Sequence, residues 1–265
     1  MKYYVVSDVH GYFTPMKKAL EGRGFFDDKE PHKLIVCGDM MDRGEEACEM
    51  QDFMLDLHNR GELIFVRGNH EDLLIEMLAE FEKYRWDISF GTSHHNSNGT
   101  WDTALQLSGM SDISALQSAN EFIKRVVASH FCSTLLPSSV NFFETPNYIF
   151  VHGHIPCFCD NKPAWYQMNR WYRFNPEWRT ASAKDWDIAR WRNGMELGEA
   201  YDIAEPGKKI VCGHWHASYG HSNFDGTCSE FGDDADFTPF YGENVIAIDA
   251  CTAHSGFVNC VVIED

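Results

Sequence analysis

The chain has 265 residues, with 40 acidic against 22 basic side chains and a formal net charge of −18. So acidic a surface argues against broad contact with a nucleic-acid polymer, because counterion-release binding needs clustered lysine and arginine. No apolar run approaches the ~20 residues that cross a bilayer, and the residues after Lys2 form a short strand-like segment where a signal peptide would carry a long apolar core. A soluble protein that does not engage a membrane is expected.

Nine cysteines, an odd number, are scattered over ordinary strand and loop positions. In a chain of this length that usage fits a reducing, cytoplasmic setting better than a disulfide framework. Cys157-Phe158-Cys159 lacks a second pair at zinc-site spacing and reads as two packed thiols.

In chain order, apolar runs at 3–6, 34–36 and 63–66 read as buried parallel strands. Residues 15–23 read as a helix with Thr14 as N-cap and Pro15 at its first position. Residues 45–60 carry Ala47, Met50, Met54 and Leu57 close to helical period and end at Gly61. A third helix at 71–86 places Leu74, Ile75, Leu78 and Phe81 on one face. This βαβαβ pattern predicts right-handed crossovers and a parallel sheet.

Residues 87–140 change character: 89–99 are polar and turn-rich, and 115–129 read as a helix. A strand pair at 141–144 and 148–151 follows Pro137. The segment 157–207 holds five of the eight tryptophans: Trp165, Trp171, Trp178, Trp186 and Trp191. The sheet resumes at 209–211 and finishes with 245–248 and 257–263, while 220–242 reads as a loop.

Asp8-Val9-His10-Gly11, Gly38-Asp39 and Gly68-Asn69-His70-Glu71 each follow one of the first three strands. Ligands in open α/β sheets gather at such carboxyl ends. On an extended segment i and i+2 point the same way, so Asp8 and His10 converge on one point. Carboxylate, amide and imidazole donors suit a divalent cation such as manganese, iron, zinc or nickel, and affinity order alone does not choose among them.

Taken in order, Asp8-Val9-His10-Gly11, the GDxxDRG stretch from Gly38 to Gly44, Arg67-Gly68-Asn69-His70-Glu71, Val151-His152-Gly153 and Gly213-His214 resemble the motifs of the calcineurin-like metallophosphoesterases. Within that superfamily they are similar to the serine/threonine phosphoprotein phosphatase, lambda phosphatase-like, branch. The resemblance spans residues 8–216. It implies an α/β fold, a metallophosphoesterase-type β-sandwich flanked by helices in α/β/β/α layers. It also implies a single domain over 1–265 with cap-like insertions at about 87–140 and 157–207 around the βαβαβ core.

The resemblance further implies a two-metal centre in which Asp8 and His10 hold the first ion, Asp39 bridges, and Asn69, His152 and His214 complete the second. Hydrolysis of a phosphate monoester would follow by attack of a hydroxide shared between the ions. Two divalent ions bring about +4 and Asp8, Asp39 and hydroxide return about −3, which leaves a cationic site in an acidic chain. His70 would protonate the leaving oxygen and Asp42 would orient His70. Arg43 and a second arginine, Arg190 or Arg192 with Arg190 favoured, would clamp the phosphoryl oxygens.

Two positions depart from the protein-phosphatase pattern. His154 stands where a second glycine is usual, and is expected behind the ligands or in the cleft. His216 completes the Gly-His-x-His form of other metallophosphoesterases, which implies a further ligand for the first ion. Gly213-His214-Trp215 also looks like the symmetrical dinucleoside tetraphosphatases. The expected substrate is therefore a phosphorylated peptide or small phosphate ester, with dinucleoside polyphosphates as the alternative and a non-catalytic phosphate-binding module as a weaker third. The tryptophan-rich segment either stacks a base, lines a peptide groove, or packs on itself. His221, His254 and the pair His94-His95 read as loop or core histidines.

Overall fold

The computed structural model describes residues 1–87, 93–161 and 170–265. Strands β1 (Lys2–Val6), β2 (His32–Cys37) and β3 (Leu63–Val66) pair in parallel, and β11 (Val261–Glu264) closes the free edge of β1 antiparallel. Helices α1 (Phe13–Gly22), α2 (Ala47–Asn59) and α3 (Asn69–Tyr84) alternate with the first three strands. A second sheet has the order β4–β5–β8–β10–β9: β4 (Phe143–Glu144), β5 (Tyr148–Phe150), β8 (Lys209–His216), β10 (Val245–Asp249) and β9 (Phe240–Tyr241). Strands β6 (Phe158–Asn161) and β7 (Arg170–Arg173) pair antiparallel in a two-stranded sheet of their own.

Strand alternation sorts the side chains into layers. Tyr3, Val5, Ile35 and Cys37 meet Phe150, Val211, Ile246 and Ile248 of the second sheet in one core. Their neighbours Tyr4, Val6, Leu34 and Val36 face the other way, into a core shared with Met16, Met50 and Leu74 of the helices. Ile210, Cys212, Val245 and Ala247 on the far face of the second sheet pack with Trp178 and Trp186. The result is the expected α/β/β/α arrangement. Among the described residues no helix is long and apolar enough to cross a membrane.

Element ends differ from the sequence pattern where side chains intervene. Helix α1 starts at Phe13, because the Thr14 amide donates to Glu46 Oε2 (2.9 Å) and its hydroxyl also bonds Glu46, so Thr14 does not cap. Helix α3 starts at Asn69, with Glu71 at its third position accepting the Gly68 N–H at 2.7 Å. That earlier start draws Asn69 and His70 into the first turn. The helix expected over 115–129 is two, Asp112–Gln117 and Ala119–Ala128, separated at Ser118. The strand expected at 209–211 runs on through His216, and the one expected at 257–263 is confined to Val261–Glu264.

In the tryptophan-rich segment, Trp178 and Trp186 are buried and Trp186 stacks on Phe142 at 5.5 Å. Trp171 and Trp191 are exposed, while Trp165, like residues 89–92 of the earlier polar stretch, lies outside the described residues. The segment is tied to β4 by Arg179, which donates to Glu144 at 2.8 and 3.0 Å.

Candidate active site

The ends of five strands deliver their polar residues to one place. Asp8 and His10 follow β1, Asp39, Asp42 and Arg43 follow β2, Asn69 and His70 follow β3, His152 follows β5, and His214 lies within β8. Asp39 is at the centre: its Oδ2 lies 3.8 Å from Nε2 of both His10 and His70, and its Oδ1 lies 3.3 Å from Nε2 of His152. Two sets of donor atoms each lie within 4.8 Å of one another, His10 with Asp39 and His70, and Asp39 with His152 and His214. Asp39 is common to both. Asn69 Oδ1 is 2.8 Å from His152 Nε2, and Asp8 Oδ1 is 4.0 Å from His10 Nε2.

Backbone carbonyls set the imidazoles. His10 Nδ1 donates to the Met41 carbonyl (3.1 Å) and His152 Nδ1 to that of Cys37 (2.9 Å). A carbonyl only accepts, so both Nδ1 atoms carry protons and both Nε2 atoms are turned toward Asp39, the orientation metal-binding histidines take. Asp8 is held through Oδ2, which accepts the Ser7 hydroxyl and the His214 N–H (2.9 Å). This approach needs Gly213: a Cβ there would stand 2.0 Å from Asp8 Oδ2. Gly68 is required likewise, its Cβ falling 2.2 Å from Asp39 Oδ1.

The backbone is strained at this point. Of eight described non-glycine residues with positive φ, six belong to the group: Asp8 (51°), His10 (49°), Asp39 (53°), Asp42 (78°), Arg43 (68°) and His214 (63°). Such conformations cost about 1–3 kcal/mol each and persist only where surrounding contacts over-determine them.

The electrostatics call for positive charge. Burial pushes the Asp8 carboxyl up to about 6. Burial opposes charge on His152, yet the adjoining Asp39 and Asp8 carboxylates outweigh it and raise the imidazole to about 10. His214 is pushed down to about 3 by burial and by His152. A cation would take the place of the proton that the carboxylates hold on His152, and buried carboxylates, imidazoles and an amide oxygen together are a donor set that fits divalent cations.

Beside Asp39 stands a second assembly. His70 Nδ1 lies 2.8 Å from Asp42 Oδ2, and Arg43 Nη2 lies 3.4 Å from His70 Nε2. Asp42 is in turn held by a later helix, Thr100–Ser108: Thr100 Oγ1 donates to Oδ2 at 2.7 Å, and the Asp42 N–H donates to Thr103 Oγ1 at 2.9 Å.

Two residues expected at the site make other contacts. Arg190 is buried and donates to Asp72 (2.7 Å), Asn141 (3.1 Å) and Asp187. Asp72 also binds Arg67 (2.7 Å), which makes a buttress of the whole set. His216 joins neither donor set; its Nε2 faces Glu230 at 3.0 Å. His154 is buried with Nδ1 on the Ile155 carbonyl (3.1 Å) and is also outside both sets. Arg192, the other arginine considered, donates to the Tyr172 hydroxyl at 2.9 Å beside the exposed Trp191, whose ring packs 5.7 Å from that of His214. Sequence reading passed over Glu71, whose carboxylate accepts the N–H groups of Asp39 (3.0 Å), Met40 (2.9 Å) and Gly68 (2.7 Å) and so fastens two site loops together. Its signal was the capping-box position three residues after Gly68. Thr100 and Thr103 carried no signal.

Comparison with known proteins agrees with this geometry. The chain matches the family described as calcineurin-like phosphoesterase over residues 1–247. It is similar to an asymmetrical bis(5'-nucleosyl)-tetraphosphatase of Bacillus velezensis, 25% identical over 130 residues that cover 47% of this chain and 48% of that protein. A symmetrical bis(5'-nucleosyl)-tetraphosphatase of Thioalkalivibrio sulfidiphilus is 35% identical over 85 residues, 32% of this chain and 30% of that one. Serine/threonine-protein phosphatase 1 of Salmonella typhimurium is 31% identical over 88 residues, 33% and 38% of the two chains. The chain thus spans about half the length of the first relative and about a third of the other two. Among solved structures, a cold-active protein tyrosine phosphatase shares the fold at 16% identity and a TM-score of 0.52, covering 100% of this chain and 75% of that one. With a family match that runs through every motif from Asp8 to His214, the chain belongs to the calcineurin-like phosphoesterases.

Proposed function

We propose that the protein hydrolyses phosphate monoesters with the help of two divalent cations, manganese, iron, zinc or nickel, which the residues around Asp39 would hold. One observation carries this reading: Asp39 is the shared member of two donor sets, with the His70–Asp42 pair and Arg43 immediately beside it. Asp8 and His10 serve one ion, and Asn69, His152 and His214 the other. The cations, when bound, polarise water and offset the charge of a phosphoryl group.

The chain's own groups do the rest. Arg43 is exposed and brings its guanidinium to the phosphoryl oxygens, where a planar fork fits two of them. It thereby sets the leaving oxygen against His70 Nε2, which gives up a proton, while Asp42 fixes the ring and supports its charge. We assign the second phosphate contact to Arg192, next to Trp191, because Arg190 is buried among Asp72, Asn141 and Asp187. The stretches Asp42-Arg43-Gly44 and Gly68-Asn69-His70-Glu71 favour a phosphoserine or phosphothreonine peptide or a small ester as substrate.

A second reading, cleavage of dinucleoside polyphosphates, is favoured by Trp191, an exposed ring beside His214 able to stack a base, and by relatives named for that activity. Purified protein supplied with manganese should hydrolyse an aryl phosphate and lose the activity to chelator. Parallel assays on a phosphopeptide and diadenosine tetraphosphate rank the two substrates. Absence of turnover with every divalent metal would leave only a phosphate-binding module.

A further inference from the structure

Away from the cleft, the described residues hold one more set of metal-binding side chains: Glu76, His94 and His95, whose donor atoms lie within 4.8 Å of one another. Glu76 belongs to α3, and the two histidines to a short helix, His94–Ser97, within the first insertion. His94 Nε2 is 3.9 Å from Glu76 Oε2, and the two imidazole rings are 4.0 Å apart.

The histidines differ in a way that points to a ligand. Glu76 and His94 are exposed, but His95 is only 3% exposed and neither of its ring nitrogens has a hydrogen-bond partner. A buried polar group left without a partner costs about 1–3 kcal/mol. Burial, and then the neighbouring His94, holds the ring's pKa below its ordinary value, so it stays in the neutral form that donates to metal.

We propose that Glu76, His94 and His95 bind a transition-metal dication, of which Zn²⁺ fits best, and that the ion clips the insertion to α3. Two imidazoles and a glutamate are a familiar zinc set, with water in the fourth place; magnesium and calcium require oxygen ligands. The clip has a consequence for the cleft. From the helix that follows, Thr100 and Thr103 hold Asp42, so fastening His94 and His95 to α3 fixes the approach of that buttress.

The test uses the full chain stripped with chelator and titrated with Zn²⁺ by calorimetry, with Co²⁺ as an optical probe of the same sites. Glu76→Gln and His94→Ala, both at exposed positions, should bind one equivalent fewer than the unmodified protein, or bind it at least about tenfold more weakly, since even indirect partners of a metal are worth that much. The comparison counts the difference between proteins, and so is read whatever number of ions the cleft accepts. Zn²⁺ should also raise the melting temperature of the unmodified chain more than that of either variant. Equal stoichiometry and affinity in all three proteins, with folding verified by circular dichroism, would overturn the proposal.

Discussion

His70 and Asp42 meet through a single oxygen: Asp42 Oδ2 lies 2.8 Å from His70 Nδ1 and at the same time accepts the Thr100 hydroxyl at 2.7 Å. Burial opposes charge on this imidazole, but Asp39, and then the bond to Asp42, raise its pKa above the ordinary 6.5. The protonated ring therefore persists past that pH, and proton donation fails as pH rises through the raised value. Asp42→Asn should move the alkaline limb of the pH–rate profile to lower pH. A limb that stays in place belongs to another group.

His70→Asn should lower the rate by about 10²–10⁴, the range for general acid catalysis. Its metal content, read by elemental analysis, should match the unmodified enzyme. His70 does lie in one donor set, so loss of an ion in that variant would reassign it from proton donor to ligand.

For Asp39→Asn the expectation is opposite. Because both sets contain this carboxylate, the variant should lose both ions together and with them all turnover. Retention of one ion at full occupancy would show that Asp39 serves a single set.

Trp191→Ala separates the two substrate readings. If its ring stacks a base, hydrolysis of diadenosine tetraphosphate should weaken by the equivalent of about 1–3 kcal/mol, while that of an aryl phosphate is untouched. An equal loss on both substrates would mean that the indole acts by packing against His214.

The tryptophan-rich segment should come loose in acid. Its tie, Glu144, is held down to about 2 by its bond to Arg179, helped by Lys208. A depressed carboxyl stabilises the fold above its unfolded pKa of 4.5, and that contribution fades as pH falls from there toward 2. Denaturation measured across this window should be flatter in Glu144→Gln. Independently, Trp178→Ala should cost about 3–5 kcal/mol, since the side chain is fully buried.

The first three strands and the residues at their ends were legible because both signals are local. An apolar run marks a strand buried on both faces, and a glycine marks the turn that follows it. The carboxylate partner of Arg190 was not legible, because Asp72 is 118 residues away and nothing in the local pattern tells an arginine engaged by carboxylates from one free to bind phosphate. The partner of His216 was hidden for the same reason, its imidazole being met by Glu230 from a loop without periodicity. Thr100 and Thr103 are ordinary helix residues until packing sets them against Asp42.

The left-handed turns at Asp8, Asp39, Asp42 and His214 put the chemistry in conflict with the durability of the fold. Glycine at any of these positions would relieve an unfavourable backbone and remove a side chain proposed to hold metal or to orient His70. A selection for heat resistance alone would drift toward an inert scaffold, and a search for hardier forms of this enzyme must hold those four positions constant.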